Sequence, residues 1–157
     1  MSVWRDGDDV RSVILGYRVD RATDTLPAST DEALFTITGG RVLVTGLIGE
    51  VTTAIQNQAN VTKLKFNPDA TGADVDLCAT LDIANDAVGT LYSITGDFSD
   101  AMKDGLNALE SDAMLEHGRV VLSEGALEID CGATNTGSVA WTLFYVPLDT
   151  GAAVSAA

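Results

Sequence analysis

The sequence predicts an all-β protein, a single-domain β-sandwich or β-barrel of about nine short strands. Three observations carry this. Apolar, β-branched runs of strand length recur along the chain, separated by turn clusters such as Gly39-Gly40, Asn67-Pro68-Asp69 and residues 85–89. The run 139–146 starts from the turn-rich residues 132–138 and stops at Pro147. It is hydrophobic on both faces, as a strand inside a two-layer β structure is. And 157 residues, 46% hydrophobic and 20% charged, suffice for one folded core.

In chain order, residues 1–11 read as an N-terminal arm with a tight Asp6-Gly7-Asp8 turn, 12–149 as the β domain, and 150–157 as a C-terminal tail. The tail is small and weakly polar, so it either frays or reaches for a neighbour. Residues 12–19 are the first strand, 21–32 a loop containing Leu26-Pro27, and 33–38 the next strand. Gly39-Gly40 reads as a hairpin turn. In the β-rich stretch 41–55, Gly46 and Gly49 mark a bulge or a bend. Alternation over 61–66 points Leu64 and Phe66 inward and Lys63 and Lys65 outward. Residues 74–83 and 90–95 are strands flanking the turn at 85–89. Residues 97–116 are less β-branched and carry Gly105 in their middle, which predicts one short helix or irregular excursion. Residues 119–122, 126–131 and 139–146 complete the sheet. No repeat of solenoid length occurs.

The formal charge of −14 argues against binding a phosphate backbone, which needs Lys and Arg. No apolar run is long enough to cross a bilayer. The first nine residues are polar and acidic, unlike a signal peptide. The expectations are no nucleic acid, no membrane, and a chain made in the cytosol. The basic residues cluster: Arg5, Arg11, Arg18 and Arg21 all fall in the first 21 positions. They read either as a solvated first strand or, with Trp4, as a docking arm for an acidic surface.

Little here is catalytic. Alternation places Val75, Leu77, Ala79 and Leu81 on one face of residues 74–83, and Cys78 on the other with Asp76 and Thr80. Cys131 shares an apolar face with Leu127 and Ile129. The two thiols therefore point to different surroundings, and an intramolecular disulfide is not favoured. Two Cys and one His, His117, lack the spacing of a zinc site. Asp6-Gly7-Asp8-Asp9 lacks the rest of a calcium loop and is flanked by Arg5 and Arg11. Asp74, Asp76 and Asp82 form a carboxylate row without a sign of a pocket, and a solvated face accounts for it more simply. No nucleophile elbow or phosphate loop is present. Trp4, Tyr17, Trp141 and Tyr145 could build a sugar platform, but Trp141 and Tyr145 share their strand face with Val139 and Leu143, which reads as core. The residues describe an acidic all-β binding or structural domain, not an enzyme, with no cofactor.

Three stretches resemble small virion structural proteins of tailed bacteriophages, among them the capsid decoration (cement) proteins. The first runs from Thr25-Leu26-Pro27-Ala28 through Ala33-Leu34-Phe35-Thr36-Ile37-Thr38-Gly39-Gly40-Arg41-Val42 to Gly49-Glu50-Val51-Thr52-Thr53. The second pairs Val75-Asp76-Leu77-Cys78-Ala79-Thr80-Leu81-Asp82-Ile83 with Gly89-Thr90-Leu91-Tyr92-Ser93-Ile94-Thr95-Gly96. The third joins Ala133-Thr134-Asn135-Thr136-Gly137-Ser138 to Trp141-Thr142-Leu143 and Tyr145-Val146-Pro147-Leu148-Asp149. The likeness is one of overall texture over residues 25–150.

The resemblance implies a protein of the outer capsid surface, made in the host bacterial cytoplasm. It would bind the major capsid protein and itself, as a homotrimer at three-fold or quasi-three-fold positions, and stabilise the shell. Trp4, Arg5, Arg11, Arg18 and Arg21 would then lie on the capsid-facing arm. The rival readings are a phage tail protein (tube or minor tail component) and a host-glycan-binding β module.

Overall fold

The computed structural model describes residues 7–105 and 118–157. Among them are one helix, α1 (Gly7–Leu15), and twelve strands: β1 (Tyr17–Thr25), β2 (Asp31–Thr38), β3 (Val42–Thr53), β4 (Val61–Pro68), β5 (Val75–Asp76), β6 (Leu81–Asp82), β7 (Leu91–Ser93), β8 (Lys103–Gly105), β9 (Val120–Leu122), β10 (Gly125–Cys131), β11 (Ser138–Pro147) and β12 (Ala153–Ala156). They form two antiparallel sheets and no closed barrel, so the all-β, sandwich-like reading holds. The first sheet runs β1-β11-β3-β7-β8, with β9 also on β3. The second runs β12-β2-β10-β4-β5, with β6 also on β4.

A single core lies between the sheets. Leu34, Phe35, Ile37, Leu64, Leu127 and Ile129 enter it from the second sheet, and Val44, Leu47, Val51, Tyr92, Trp141 and Leu143 from the first. Alternation along β11 puts Val139, Trp141, Leu143 and Tyr145 in this core, as expected. Leu64 and Phe66 of β4 are buried there too, and Cys131 is buried with Leu127 and Ile129. Both cysteines are free thiols, and burial raises the pKa of each.

Several expectations are corrected. Residues 12–19 are not a strand: α1 runs to Leu15, and β1 begins at Tyr17 and continues to Thr25, into the expected loop. The helix has Asp8 and Asp9 in its first turn, where the dipole favours them. It ends at Gly16, whose φ of 86° is left-handed and whose N–H bonds back to the Ser12 carbonyl. The Asp6-Gly7-Asp8 turn is replaced, from Gly7 onward, by the start of this helix.

Gly39-Gly40 is not a hairpin turn. It carries the chain from β2 in the second sheet to β3 in the first. Residues 74–83 are not one strand either. β5 and β6 both pair with β4, and Leu77 still donates its N–H to the Leu64 carbonyl, but at Ala79 the chain leaves β4: the Ala79 N–H bonds the Asp100 carbonyl, and the Met102 N–H bonds the Ala79 carbonyl. Leu77 and Cys78 are therefore both buried and Val75 is exposed, against the alternation. In the excursion at 97–116, residues 97–105 make a turn and then β8 on β7; residues 106–117 lie outside the described residues. The C-terminal residues do not fray: β12 pairs with β2.

Candidate functional site

Trp4, Arg5, Asp6 and His117 lie outside the described residues. The other candidates are placed. Arg11 pairs with Asp8 across a turn of α1, and Arg18 with Asp20, each at 2.8 Å. Arg21 donates to Asp24 and Glu32, and its side chain is nearly buried. These arginines are engaged by the protein's own carboxylates. Asp20 is held below the usual carboxylate range by hydrogen bonds from Thr142 and from Arg18.

Trp141 is only 2% exposed, so it offers no sugar platform. The carboxylate row is divided among tasks. Asp76 pairs with Lys63, Asp74 with Lys65, and Asp82 Oδ1 accepts from the backbone N–H groups of Asn60 and Ala84.

The densest ionic group sits on the outer face of the second sheet. Lys65, expected outward and solvated, is indeed on that face but has a side chain only 9% exposed. Its Nζ donates to Asp31 and to Asp74 Oδ2 at 2.7 Å, and lies 3.5 Å from Glu128 Oε2. Glu128 is directly opposite Lys65 in the β10–β4 register. Burial opposes the charge on Lys65, but the hydrogen bonds to Asp31 and Asp74 outweigh it and raise the pKa. The Lys65 bond in turn lowers that of Asp31. Ligand oxygens of Asp31, Asp74 and Glu128 come within 4.8 Å of one another, as a hard cation's would. Here the ammonium serves as that cation.

A second feature was not visible in the strand pattern. The outer face of the first sheet carries an apolar row. Val121 of β9 is directly opposite Leu43 of β3, and Leu43 is directly opposite Val146 of β11. Their chain neighbours Val120, Leu122, Val42, Val44 and Tyr145 are in the core, so the three side chains face outward. At the β11 end a groove of about 320 Å³ opens between this sheet and α1, lined by Val13, Tyr17 and Val146 among others. Above it α1 turns Val10, Val13 and Ile14 to solvent, at the spacing of one helix face. Val13, Ile14 and Tyr17 are 67%, 59% and 62% exposed. The helix is anchored by its C-terminal end: the Thr45 hydroxyl donates to the Leu15 carbonyl. The i, i+3 and i+4 spacing of Val10, Val13 and Ile14 is the available signal, but Val13-Ile14-Leu15, three β-branched or apolar neighbours in a row, read as a strand.

No family model, no curated protein and no solved structure matches this chain.

Proposed function

We propose that this chain is a capsid decoration protein of a tailed bacteriophage. It binds the outer shell, as a trimer at three-fold or quasi-three-fold positions, and stabilises it. The observation that carries a binding role is the exposed apolar face of the first sheet and α1 on an otherwise acidic sandwich. Exposed patches of this kind mark interaction surfaces on soluble proteins. The step from binding to capsid decoration rests on the sequence resemblance. The ionisable groups support binding rather than catalysis: Lys65, Arg21 and their carboxylates bridge strands to one another.

Such a protein needs only affinity for the assembled shell, because a ligand that binds the assembled state stabilises it by mass action. A trimer multiplies weak contacts. A net charge of −14 suits a protein that stays on the outside of packaged DNA. The test is a cryo-EM reconstruction of purified particles containing this chain, with its copy number from quantitative mass spectrometry. Trimeric density on the shell at hundreds of copies is expected. Density confined to the tail, at a few copies, overturns decoration in favour of a tail role.

A further inference from the structure

The geometry points to a covalent cross-link that the folded chain makes within itself: an amide between Lys65 Nζ and Asp31 Cγ, with Glu128 carrying a proton, tying β4 to β2 across β10. This inference does not rest on the decoration reading.

Three adjacent strands assemble the groups. β10 lies between β2 and β4, and its Glu128 is directly opposite Lys65. The Lys65 amine is nearly buried and donates to Asp31 Oδ2, so nucleophile and carboxyl are already neighbours. The other carboxyl oxygen, Asp31 Oδ1, accepts from the Thr30 hydroxyl at 3.2 Å. Negative charge gathers on that oxygen when an amine adds to the carboxyl, and a donor there favours the addition. Glu128 is largely buried, and Asn67 Nδ2 holds its Oε1 at 3.2 Å. Its Oε2 stands 3.5 Å from Nζ and has no hydrogen bond among the described residues. An oriented carboxylate with a free oxygen beside an amine is placed to take a proton from it. Asp74 also accepts from Nζ, at 2.7 Å, but among the described residues its carboxyl has no donor other than Lys65. It holds the amine in place; the Thr30 hydroxyl singles out Asp31 for reaction.

The step is a condensation and needs no co-reactant. Nζ, as the neutral amine, attacks Asp31 Cγ; the C–N bond forms and the bond from Cγ to Oδ2 breaks. Of the three ammonium hydrogens, one stays on the amide. One passes to Oδ2 along the existing hydrogen bond and one through Glu128 Oε2, and both leave with Oδ2 as water. One positive and one negative charge disappear together, so the net charge is unchanged. Asp31 is partly exposed, which gives the water a way out. The ion pairs raise the pKa of Lys65, so the neutral amine is scarce and the step is slow. A reaction needed once per molecule tolerates that. Free amines and carboxylates do not condense in water, but groups held in reacting geometry act at effective concentrations of about 10⁵–10⁸ M. The three-strand register supplies the holding. The product closes a loop from residue 31 to residue 65 that persists on unfolding, and so constrains the unfolded chain as a disulfide does.

The experiment weighs the denatured full chain by intact-mass spectrometry, fresh and after long incubation of the folded protein at neutral pH, and maps the linkage by proteolysis. The wild type should be lighter than its sequence by one water and should yield a branched peptide joining the Asp31 and Lys65 segments. Lys65→Gln and Asp31→Ala should keep the full mass. Glu128→Gln, which preserves the shape of the side chain, should form the bond at least about a hundredfold more slowly. Melting curves show which variants are folded, and the wild-type result stands without them. A folded wild type that keeps its full mass overturns the inference. So does a water loss that persists in Lys65→Gln, which would lie elsewhere in the chain. A branch at Asp74 overturns the choice of Asp31, and bond formation in Glu128→Gln at the wild-type rate overturns the proton-carrying role. Shell binding is measured separately, and its failure would leave the cross-link standing.

Discussion

Trp141 lies across Gly49. The two residues are directly opposite in the β11–β3 register, and the indole Cη2 and Cζ3 stand 2.8 Å from where a Cβ on Gly49 would be. Tyr92 is opposite Gly49 on the other side, in β7. The bare glycine lets the two rings meet over β3, with centroids 6.4 Å apart and planes 29° from parallel. This contact is the centre of the first sheet's inner face.

Gly49→Ala should therefore be destabilising although alanine is otherwise tolerated in strands. The methyl has no free volume, and overpacking of this kind costs about 1–3 kcal/mol. Urea unfolding should show a lower midpoint with an unchanged slope. An unchanged midpoint would mean that the indole can move aside.

The same ring cluster leads to a pH-dependent prediction. The Tyr92 hydroxyl donates to Asp86 Oδ2 at 2.5 Å, and both groups are buried. Burial raises the pKa of Asp86, and the Tyr92 bond opposes that rise. A carboxyl whose pKa is raised on folding adds stability at low pH that is lost as pH rises through the folded value. Tyr92→Phe removes the bond that favours the carboxylate. Its cost should be small in acid, where Asp86 is protonated, and grow to about 1–3 kcal/mol above the carboxyl range. Denaturation of both proteins across pH 3 to 7 checks this. A cost independent of pH would mean that Asp86 is not the group responding.

Much of the fold is legible in the sequence because two-residue periods survive folding. Residues 61–66 and 139–146 bury the faces their alternation selects. What is not legible depends on partners distant in sequence. Gly39-Gly40 has the chemistry of a turn in either case; pairing of β2 with β10 and of β3 with β11 makes it a crossing between sheets. Lys65 sits on the expected outer face, yet Asp31 and Glu128, on other strands, bury it. The helical spacing of Val10, Val13 and Ile14 is outweighed locally by strand-like composition, and the left-handed Gly16 closes the helix. The apolar row needs register across three strands, which no single segment carries.

Lys65 provides the third prediction. Lys65→Met should leave Asp31, Asp74 and Glu128 facing one another with no cation between them. Of the three carboxylates only Glu128 is largely buried, and water screens the exposed Asp31 and Asp74, so the loss should be about 1–3 kcal/mol. Millimolar calcium should restore part of the lost melting temperature, since the three carboxylates are close enough to share an ion. The wild type should show no such rescue, because its ammonium holds the place. Loss of stability without any calcium response would show that the carboxylates move apart.

The C-terminal strand gives the last prediction. β12 covers the edge of β2, pairing Ala153–Ala156 with residues 35–38 in reverse order and burying Ala152 and Val154. The corner before it is tied down by Asp149, which accepts from the backbone N–H, Nε and Nη2 of Arg41, each at 2.8 Å. Those bonds hold the Asp149 carboxyl well below the usual range. A depressed carboxyl adds stability that is present at neutral pH and lost only as pH falls through the folded value. Asp149→Ala should therefore speed hydrogen exchange at the β12 amides at neutral pH, and leave β10 and β11 amides protected. Deleting residues 150–157 should go further. It removes the burial of Val154, about 1.5–3 kcal/mol, and bares the N–H and C=O groups of β2, so the truncated protein should associate at high concentration. Size-exclusion chromatography over a concentration series reads this directly. A truncated chain that stays monomeric and keeps its melting temperature would show that β12 is dispensable to the second sheet.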